Sequence, residues 1–208
     1  MPLAGLIVVS TARRCGEGSV CQMNDLGRAA EELVTGRLSL RRPAPADVDA
    51  IFSIHSYQRA CAHNPSDMLA TRDEAQQLFR RWDEHWLRFG FGYWVVRRRD
   101  SATPIGFCGI KVMQLNESDV VNLFYRFDPA VWGNRLASEA ASAVIGWAAQ
   151  NIPGRALIAR IRPQNVASQR VAIHAGLARA EHLDTLGEDG VDWIFVPASG
   201  LKDGLGSA

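Results

Sequence analysis

The chain has 208 residues, 47% of them hydrophobic and 22% charged, a length that fits one domain with a sizeable core. A net charge of +1 leaves no basic footprint for a polyanion, so nucleic acid is not expected as a partner. Cys15, Cys21, Cys61 and Cys108 show no C-x-x-C spacing; they read as free thiols of a reducing, cytoplasmic setting, and no metal site is expected.

The first thirty-odd residues stand apart from the rest. Leu6, Ile7, Val8 and Val9 form an apolar run too short to cross a bilayer, and no basic residue precedes it as a secretory signal would require. No membrane association is expected. Met23 precedes a helical stretch over residues 25–33. Two readings stay open: translation begins at Met23 and residues 1–22 are an upstream extension, or the segment is a mobile arm. Residues 1–34 are read as an extension, 35–198 as the domain, and 199–208, rich in Gly and Ser, as a flexible tail. Deleting residues 1–22 is expected to cost little stability.

Periodicity sets the elements that follow. A strand over 37–41 puts Leu38 and Leu40 on one face. A helix over 47–58 carries Val48, Ile51, Phe52 and Ile54. Thr71, with Glu74 three residues on, opens a helix as a capping box; it runs to about residue 89 with Leu78, Phe79, Trp82, Trp86 and Leu87 on its apolar side. Strands follow at 93–98, 105–114 and 120–127, then a helix at 136–150, a strand at 156–161, a helix at 166–175 and a hairpin around Gly187 and Gly190. Arg97, Arg98 and Arg99, abutting Asp100, read as a solvated strand end.

Two strand–turn–helix units carry the chemistry. The first runs from Tyr125 through Asp128, Pro129, Trp132, Gly133, Asn134 and Arg135 into Leu136, Ala137, Ser138, Glu139 and Ala140. A turn that delivers a strand into a helix N-terminus makes an anion site, because the first helical N–H groups lack internal partners and the dipole favours negative charge. The second unit follows the strand at 156–161 with Arg162, Pro163, Gln164, Asn165, Val166, Ala167 and Ser168. Asn165 or Ser168 placed there equally suits a helix cap.

Together the two units resemble the GNAT superfamily of N-acetyltransferases, and within it the RimJ/RimL-like branch. That branch reads Tyr-x-x-x-Pro-x-x-Trp-Gly-x-Gly-x-Ala-[Thr/Ser]-Glu-Ala in the first segment. The second reads Asn-x-x-Ser and later Gly-Phe, which is Gly176-Leu177 here. Leu38, Ser39, Leu40 and Arg41 with Asp47, the run from Gly90 to Trp94, and the run from Pro104 to Gly109 match further segments, so the resemblance spans residues 37–197. It implies an α/β (α+β) fold: a mixed, mostly antiparallel central sheet with splayed central strands and flanking helices. It also implies acetyl transfer from acetyl-CoA to a primary amine, a small molecule or a protein N-terminus, in a ternary complex, by a monomer or homodimer. The pantetheine arm would lie along Phe124, Tyr125 and Arg126 and bond Asn165. The diphosphate would rest on Gly133, Asn134, Arg135, Leu136, Ala137 and Ser138. Ser168 would sit near the sulfur and give the departing thiolate its proton.

The chain departs from the branch at four positions. Arg135 stands where a second glycine is usual; a non-glycine residue can hold helical φ in a first turn, and a guanidinium can itself pair with phosphate. Asn122 stands at a usual glutamate, Arg160 at a second acidic position of related enzymes, and Ala172 where some relatives have a general-acid tyrosine. The base then falls to water or to Glu117, Asp119, His55, His63 or His85. Asn122 and Arg160 also suit an acyl-CoA-binding or regulatory domain without turnover. A plain nucleotide-binding α/β domain would need G-x-G-x-x-G or a Walker lysine after its first strand, and neither occurs. The acceptor pocket is expected from residues 57–69, Tyr93, Trp94 and the final hairpin.

Overall fold

A computed structural model describes residues 7–8 and 32–198 of the chain. The Met23 start, residues 25–31 of the expected helix and the Gly/Ser tail lie outside the described residues.

The strands are β1 (Ile7–Val8), β2 (Glu32–Val34), β3 (Leu38–Arg41), β4 (Tyr93–Arg98), β5 (Pro104–Leu115), β6 (Ser118–Phe127), β7 (Ala156–Ile161), β8 (Leu177–Arg179), β9 (Thr185–Gly187) and β10 (Gly190–Pro197). The helices are α1 (Val48–His55), α2 (Gln58–Cys61), α3 (Arg72–Phe89), α4 (Leu136–Asn151) and α5 (Val166–His174). The strands form one 10-stranded sheet in the order β1-β2-β3-β4-β5-β6-β7-β10-β8, with β9 paired to β10. Only β6 and β7 run parallel; the other described pairs are antiparallel. The mixed, mostly antiparallel sheet with flanking helices is the expected one.

Local chemistry explains most boundaries. The Thr71 hydroxyl accepts from the Glu74 N–H at 3.2 Å and the Glu74 carboxylate accepts from the Thr71 N–H at 3.3 Å, so the predicted capping box opens α3. Gly90, at φ 74, stops it in the left-handed conformation, as glycine does at helix C-termini. Leu87, expected on the apolar side, is 72% exposed. It sits about 100° around the helix from Trp86, and the buried His85 takes the inward place. The helix expected over 47–58 is broken up. Pro45–Asp47 form a 3-10 turn, α1 ends at His55, and Tyr57 is extended before α2 begins.

The helix expected over 25–33 is corrected at its end. Glu32–Val34 is a strand, and Leu33, fully buried, lies opposite Leu40 of β3. Leu33 thereby buries on the same sheet as Leu38 and Leu40, which a helix ending at the Thr35–Arg37 bend would not allow. Ile7 and Val8 pair with Val34 and Leu33 and add an edge strand.

The sheet buries both faces. On one, Leu40, Trp94, Val96, Val121, Leu123 and Phe127 pack with Leu136, Ala140, Val144 and Trp147 of α4. On the other, Val95 and Phe107 pack with Val48, Ile51 and Ile54 of α1 and Ala75, Phe79 and Trp82 of α3. Each large side chain buried this way contributes roughly 1.5–3 kcal/mol. Gly109 of β5 has no room for a Cβ because the Gly92 carbonyl lies against it, accepting from the Ile110 N–H at 3.1 Å.

Candidate active site

The sheet forks at its centre. β6 pairs with β5 along its full length, from Leu115–Ser118 to Gly106–Phe127. With β7 it pairs only at Val120–Ala156, Val121–Leu157 and Asn122–Ile158. Beyond Asn122 the edge of β6 pairs with no strand among the described residues, while Ala159, Arg160 and Ile161 of β7 pair with β10. Phe124, Tyr125 and Arg126 are thus on the free half of β6, as expected. At the apex the Asn122 side-chain oxygen accepts from the Arg160 N–H at 3.2 Å. The residue standing at the family's carboxylate position holds the fork together and cannot take a proton.

The chain leaves β6 through a turn built by its own side chains. The Asp128 carboxylate accepts from the Ala130 N–H at 2.8 Å, and the Trp132 indole donates to the Phe127 carbonyl at 2.9 Å. The Asn134 amide donates to the Val131 and Trp132 carbonyls at 3.1 and 3.2 Å. Gly133 adopts φ 80. Arg135 does not hold the helical φ expected of it: it lies at φ 59, ψ 17, in the left-handed region. For a residue with a Cβ this costs about 1–2 kcal/mol, which explains the family's glycine there.

Arg135 is also the N-cap of α4 and makes no side-chain cap bond, since a guanidinium has no acceptor. The N–H groups of Leu136, Ala137 and Ser138 consequently meet no acceptor among the described residues, and Glu139 is the first to bond, to the Arg135 carbonyl at 3.1 Å. Gly133, Asn134 and Arg135 are exposed in front of them. The Glu139 carboxylate fixes this turn by accepting from the Thr35 hydroxyl (2.5 Å), the Arg37 N–H (2.9 Å) and the Arg37 guanidinium (2.6 Å), while Arg37 also donates to the Asn134 carbonyl at 3.0 Å. Burial works against ionisation of Glu139, yet these partners outweigh it and hold the carboxyl below its ordinary range.

The mouth of α5 is closed differently. Asn165 accepts from the Ser168 N–H at 3.0 Å, so Asn165 is the cap and Ser168 is the residue capped. The Ser168 hydroxyl makes no hydrogen bond among the described residues, and its carbonyl accepts from the Tyr125 hydroxyl at 2.9 Å. Tyr125 thus reaches across the fork from β6 to α5, and burial raises its phenol above the ordinary value.

Asn122, Phe124 and Arg126 alternate with Val121, Leu123 and Tyr125, and so face the α1 side. Phe124 stacks on Tyr93 at 4.8 Å and on His55 at 6.2 Å between ring centres. Arg126 is buried and donates to Asp67 at 2.8 Å. Burial, helped by Arg126, pushes the His55 imidazole down to about 3, so it is neutral at ordinary pH. His85 is committed to the scaffold: one ring nitrogen bonds the Phe91 carbonyl at 2.8 Å and the other accepts from the Val112 N–H at 3.1 Å. Glu117 lies in the turn before β6, and Asp119 lies three residues before the apex, ~10 Å back along the strand. His63 is exposed just past α2. Neither His55 nor His85 brings a free, basic nitrogen to the fork.

The structure adds residues the sequence reading passed over. Asp192 of β10 is 3% exposed and pairs with Arg160 at 3.5 Å and Arg162 at 3.2 Å. Burial raises its carboxyl against the pull of both guanidiniums. Asp189, at the hairpin tip, accepts from the Ser66 N–H at 3.2 Å and hydroxyl at 2.7 Å and lies 3.7 Å from Arg162. The segment 57–69 and the hairpin therefore meet over the α1 face. A charged residue amid the apolar run of β10 was the available signal. Trp94 is not part of this wall; it is fully buried in the core between Trp86 and Trp147. Among the described residues, no helix is long and apolar enough to cross a membrane.

Comparison with known proteins agrees with this geometry. An uncharacterized protein of Bacillus subtilis, YkkB, is 28% identical over 155 residues, covering 72% of this chain and 86% of its own. A crystal structure of an acetyltransferase from Agrobacterium tumefaciens superposes with a TM-score of 0.69 at 23% identity, over 86% of this chain and 98% of that one. RimL, a ribosomal L7/L12 alpha-N-protein acetyltransferase solved with coenzyme A, superposes with a TM-score of 0.62 at 16% identity, over 78% and 94%. The acetyltransferase (GNAT) domain family matches residues 37–178; with the forked sheet and the uncapped helix at its end, the chain belongs to the GNAT acetyltransferases.

Proposed function

We propose that the protein transfers the acetyl group of acetyl-CoA to a primary amine, on a small molecule or a protein N-terminus, in a ternary complex. One observation carries this reading: the unpartnered N–H groups of Leu136, Ala137 and Ser138 stand at the end of a strand whose second half is free along one edge. The first feature suits a diphosphate; the second leaves Phe124, Tyr125 and Arg126 main-chain groups for the amides of a pantetheine arm. RimL, of like fold, was solved with coenzyme A, which supports the choice of carrier.

The reaction needs a neutral amine, a polarised thioester carbonyl and a proton for the leaving group. The amine nitrogen forms a bond to the carbonyl carbon, the carbon–sulfur bond breaks, the amine gives up a proton and the thiolate gains one. Ser168 supplies that proton, its hydroxyl being uncommitted beside the free half of β6. Asn165 caps α5 through its oxygen and keeps its NH2 group for the arm. With Asn122 engaged at the apex, water takes the amine proton. A binding domain without turnover is the second reading, favoured by the same engagement of Asn122.

Calorimetry with acetyl-CoA, followed by thiol release against a panel of amines, tests both. Gly133→Asp puts a carboxylate before the phosphates and a side chain at φ 80, and is expected to weaken acetyl-CoA by ~1–3 kcal/mol. Unchanged affinity in that variant removes the turn from the carrier site. Binding without thiol release across the panel selects the second reading.

A further inference from the structure

We infer that the acceptor carries a carboxylate beside its amine, and that Arg126 receives it; this rests on the reading of the fork as an acetyl-CoA site. Arg126 projects from the free half of β6 to the face away from α4, with its side chain 6% exposed. Its guanidinium lies 5.4 Å from the centre of the Phe124 ring. One terminal nitrogen donates to Asp67 at 2.8 Å, and the other is buried with no acceptor among the described residues. Asp67 is itself 46% exposed, so water screens the one charge that offsets the guanidinium. A buried cation with an unmet donor is costly unless an anion completes it. A guanidinium presents paired N–H groups in the geometry of a carboxylate.

Beyond Asp67, the side chains packed around Phe124 supply no anion. His55 and Tyr93, the polar side chains beside Phe124, are both neutral, the first by its lowered pKa and the second by its raised one. On the opposite wall Arg162, with its side chain 7% exposed, also keeps a buried N–H without an acceptor. The two arginines are joined through consecutive residues: Arg162 pairs with Asp189, Asp189 bonds Ser66, and Asp67 pairs with Arg126. Arg155 and Arg179 hold unmet nitrogens too, but they lie over Phe89 and Trp193, away from the free edge of β6.

Charge balance points to the same class. Asp67, Asp189 and Asp192 offset Arg126, Arg160 and Arg162, so the wall as a whole is neutral. A polycationic amine would need an acidic excess. An acceptor with one ammonium and one carboxylate keeps a neutral wall neutral and offers its carboxylate to the guanidinium that stands on the free half of β6.

The test uses product-like probes on the full chain saturated with coenzyme A. N-acetylglycine, N-acetyl-leucine, N-acetylphenylalanine and N-acetylglutamate are each titrated by calorimetry beside their α-carboxamides. At least one acid is expected to bind about tenfold or more tighter than its amide, and Arg126→Gln to reduce that preference to within about twofold. Equal binding of acids and amides, binding of neither, or a preference that survives in Arg126→Gln overturns the inference. If Arg126→Gln fails to fold, the wild-type comparison decides alone. Failure of acetyl-CoA itself to bind strikes the underlying reading instead.

Discussion

The two faces of the fork are made in different ways. The α4 face is apolar along β6, through Val121, Leu123, Tyr125 and Phe127, and ends in one contiguous turn after which the N–H groups of Leu136, Ala137 and Ser138 meet no acceptor among the described residues. At the fork the α1 face is polar: Asn122 and Arg126 come from β6, while His55, Asp67, Arg162 and Asp192 come from four other parts of the chain. A carrier shared by many enzymes can be held by backbone, which any sequence supplies. An acceptor particular to one enzyme has to be held by side chains. Changes on the α4 face should therefore act on acetyl-CoA and its chemistry, and changes on the α1 face should leave carrier affinity alone.

The largest effect expected is at Ser168, which the proposed mechanism puts beside the reacting sulfur. Because Asn165 is the cap, Ser168→Ala should leave the melting temperature nearly unchanged. Turnover should fall by roughly 10²-fold, the range for a general acid, with acetyl-CoA affinity changed far less. Undiminished turnover on a normally folded preparation would take Ser168 out of the mechanism and leave Tyr125, whose hydroxyl already reaches its carbonyl, as the donor to examine.

This asymmetry also governs what the sequence disclosed. The strands at 93–98 and 156–161, the capping box at Thr71 and Glu74, and the turn from Gly133 to Ser138 were legible because each depends on neighbours a few residues away. The ends of α1 and the inward turn of His85 in place of Leu87 were set by packing against β6 and β5, which periodicity in one helix does not report. Asp192 and the Ser66–Asp189 contact were illegible for a stronger reason: their partners lie 30 to 123 residues away in the chain. Arg135 was misread because sequence identifies an unusual residue but not the sign of its φ.

On the α1 face the sharpest handle is pH. His55 falls to about 3 in the folded chain, against an ordinary unfolded value near 6.5. The unfolded state therefore binds the proton first, and the stability that His55 contributes is full above about pH 6.5 and drains as pH falls toward 3. The slope from this group alone is about 1.4 kcal/mol per pH unit inside that window. His55→Phe keeps a ring against Phe124 and removes the titration. Between pH 7.5 and pH 5 the wild type should lose about 2 kcal/mol more than the variant in denaturant unfolding, while the two bind acetyl-CoA alike. Parallel stability curves would mean that His55 is hydrated and the face is open.

Asn165 allows a smaller and cleaner separation, because its two side-chain atoms have different tasks. Asn165→Asp keeps the oxygen that caps Ser168 and removes the NH2 group. The helix should stay as stable within about 0.5 kcal/mol, since Asp and Asn cap equally well, and acetyl-CoA should weaken severalfold, the loss of one hydrogen bond of about 1 kcal/mol. Asn165→Ala would lose about 1 kcal/mol of stability in addition. Equal carrier affinity in wild type and the Asp variant would make Asn165 a cap only.

Arg135 gives the smallest effect and bears on how the carrier face was built. Its left-handed φ of 59 carries a steric cost of about 1–2 kcal/mol that glycine would not pay. Glycine in turn loses more backbone entropy on folding, by roughly 0.5–1 kcal/mol, so Arg135→Gly should raise stability by no more than about 1.5 kcal/mol. Arg135→Ala retains the strain and should be less stable than the glycine variant by about 1 kcal/mol. Both variants lose the guanidinium, so any charge contribution to diphosphate binding should vanish equally in the two and shrink with added salt in the wild type. Measuring melting and acetyl-CoA affinity on all three chains separates the backbone from the charge. Alanine and glycine variants of equal stability would show that residue 135 can leave the left-handed region without cost, and the strain assigned to the turn would not exist.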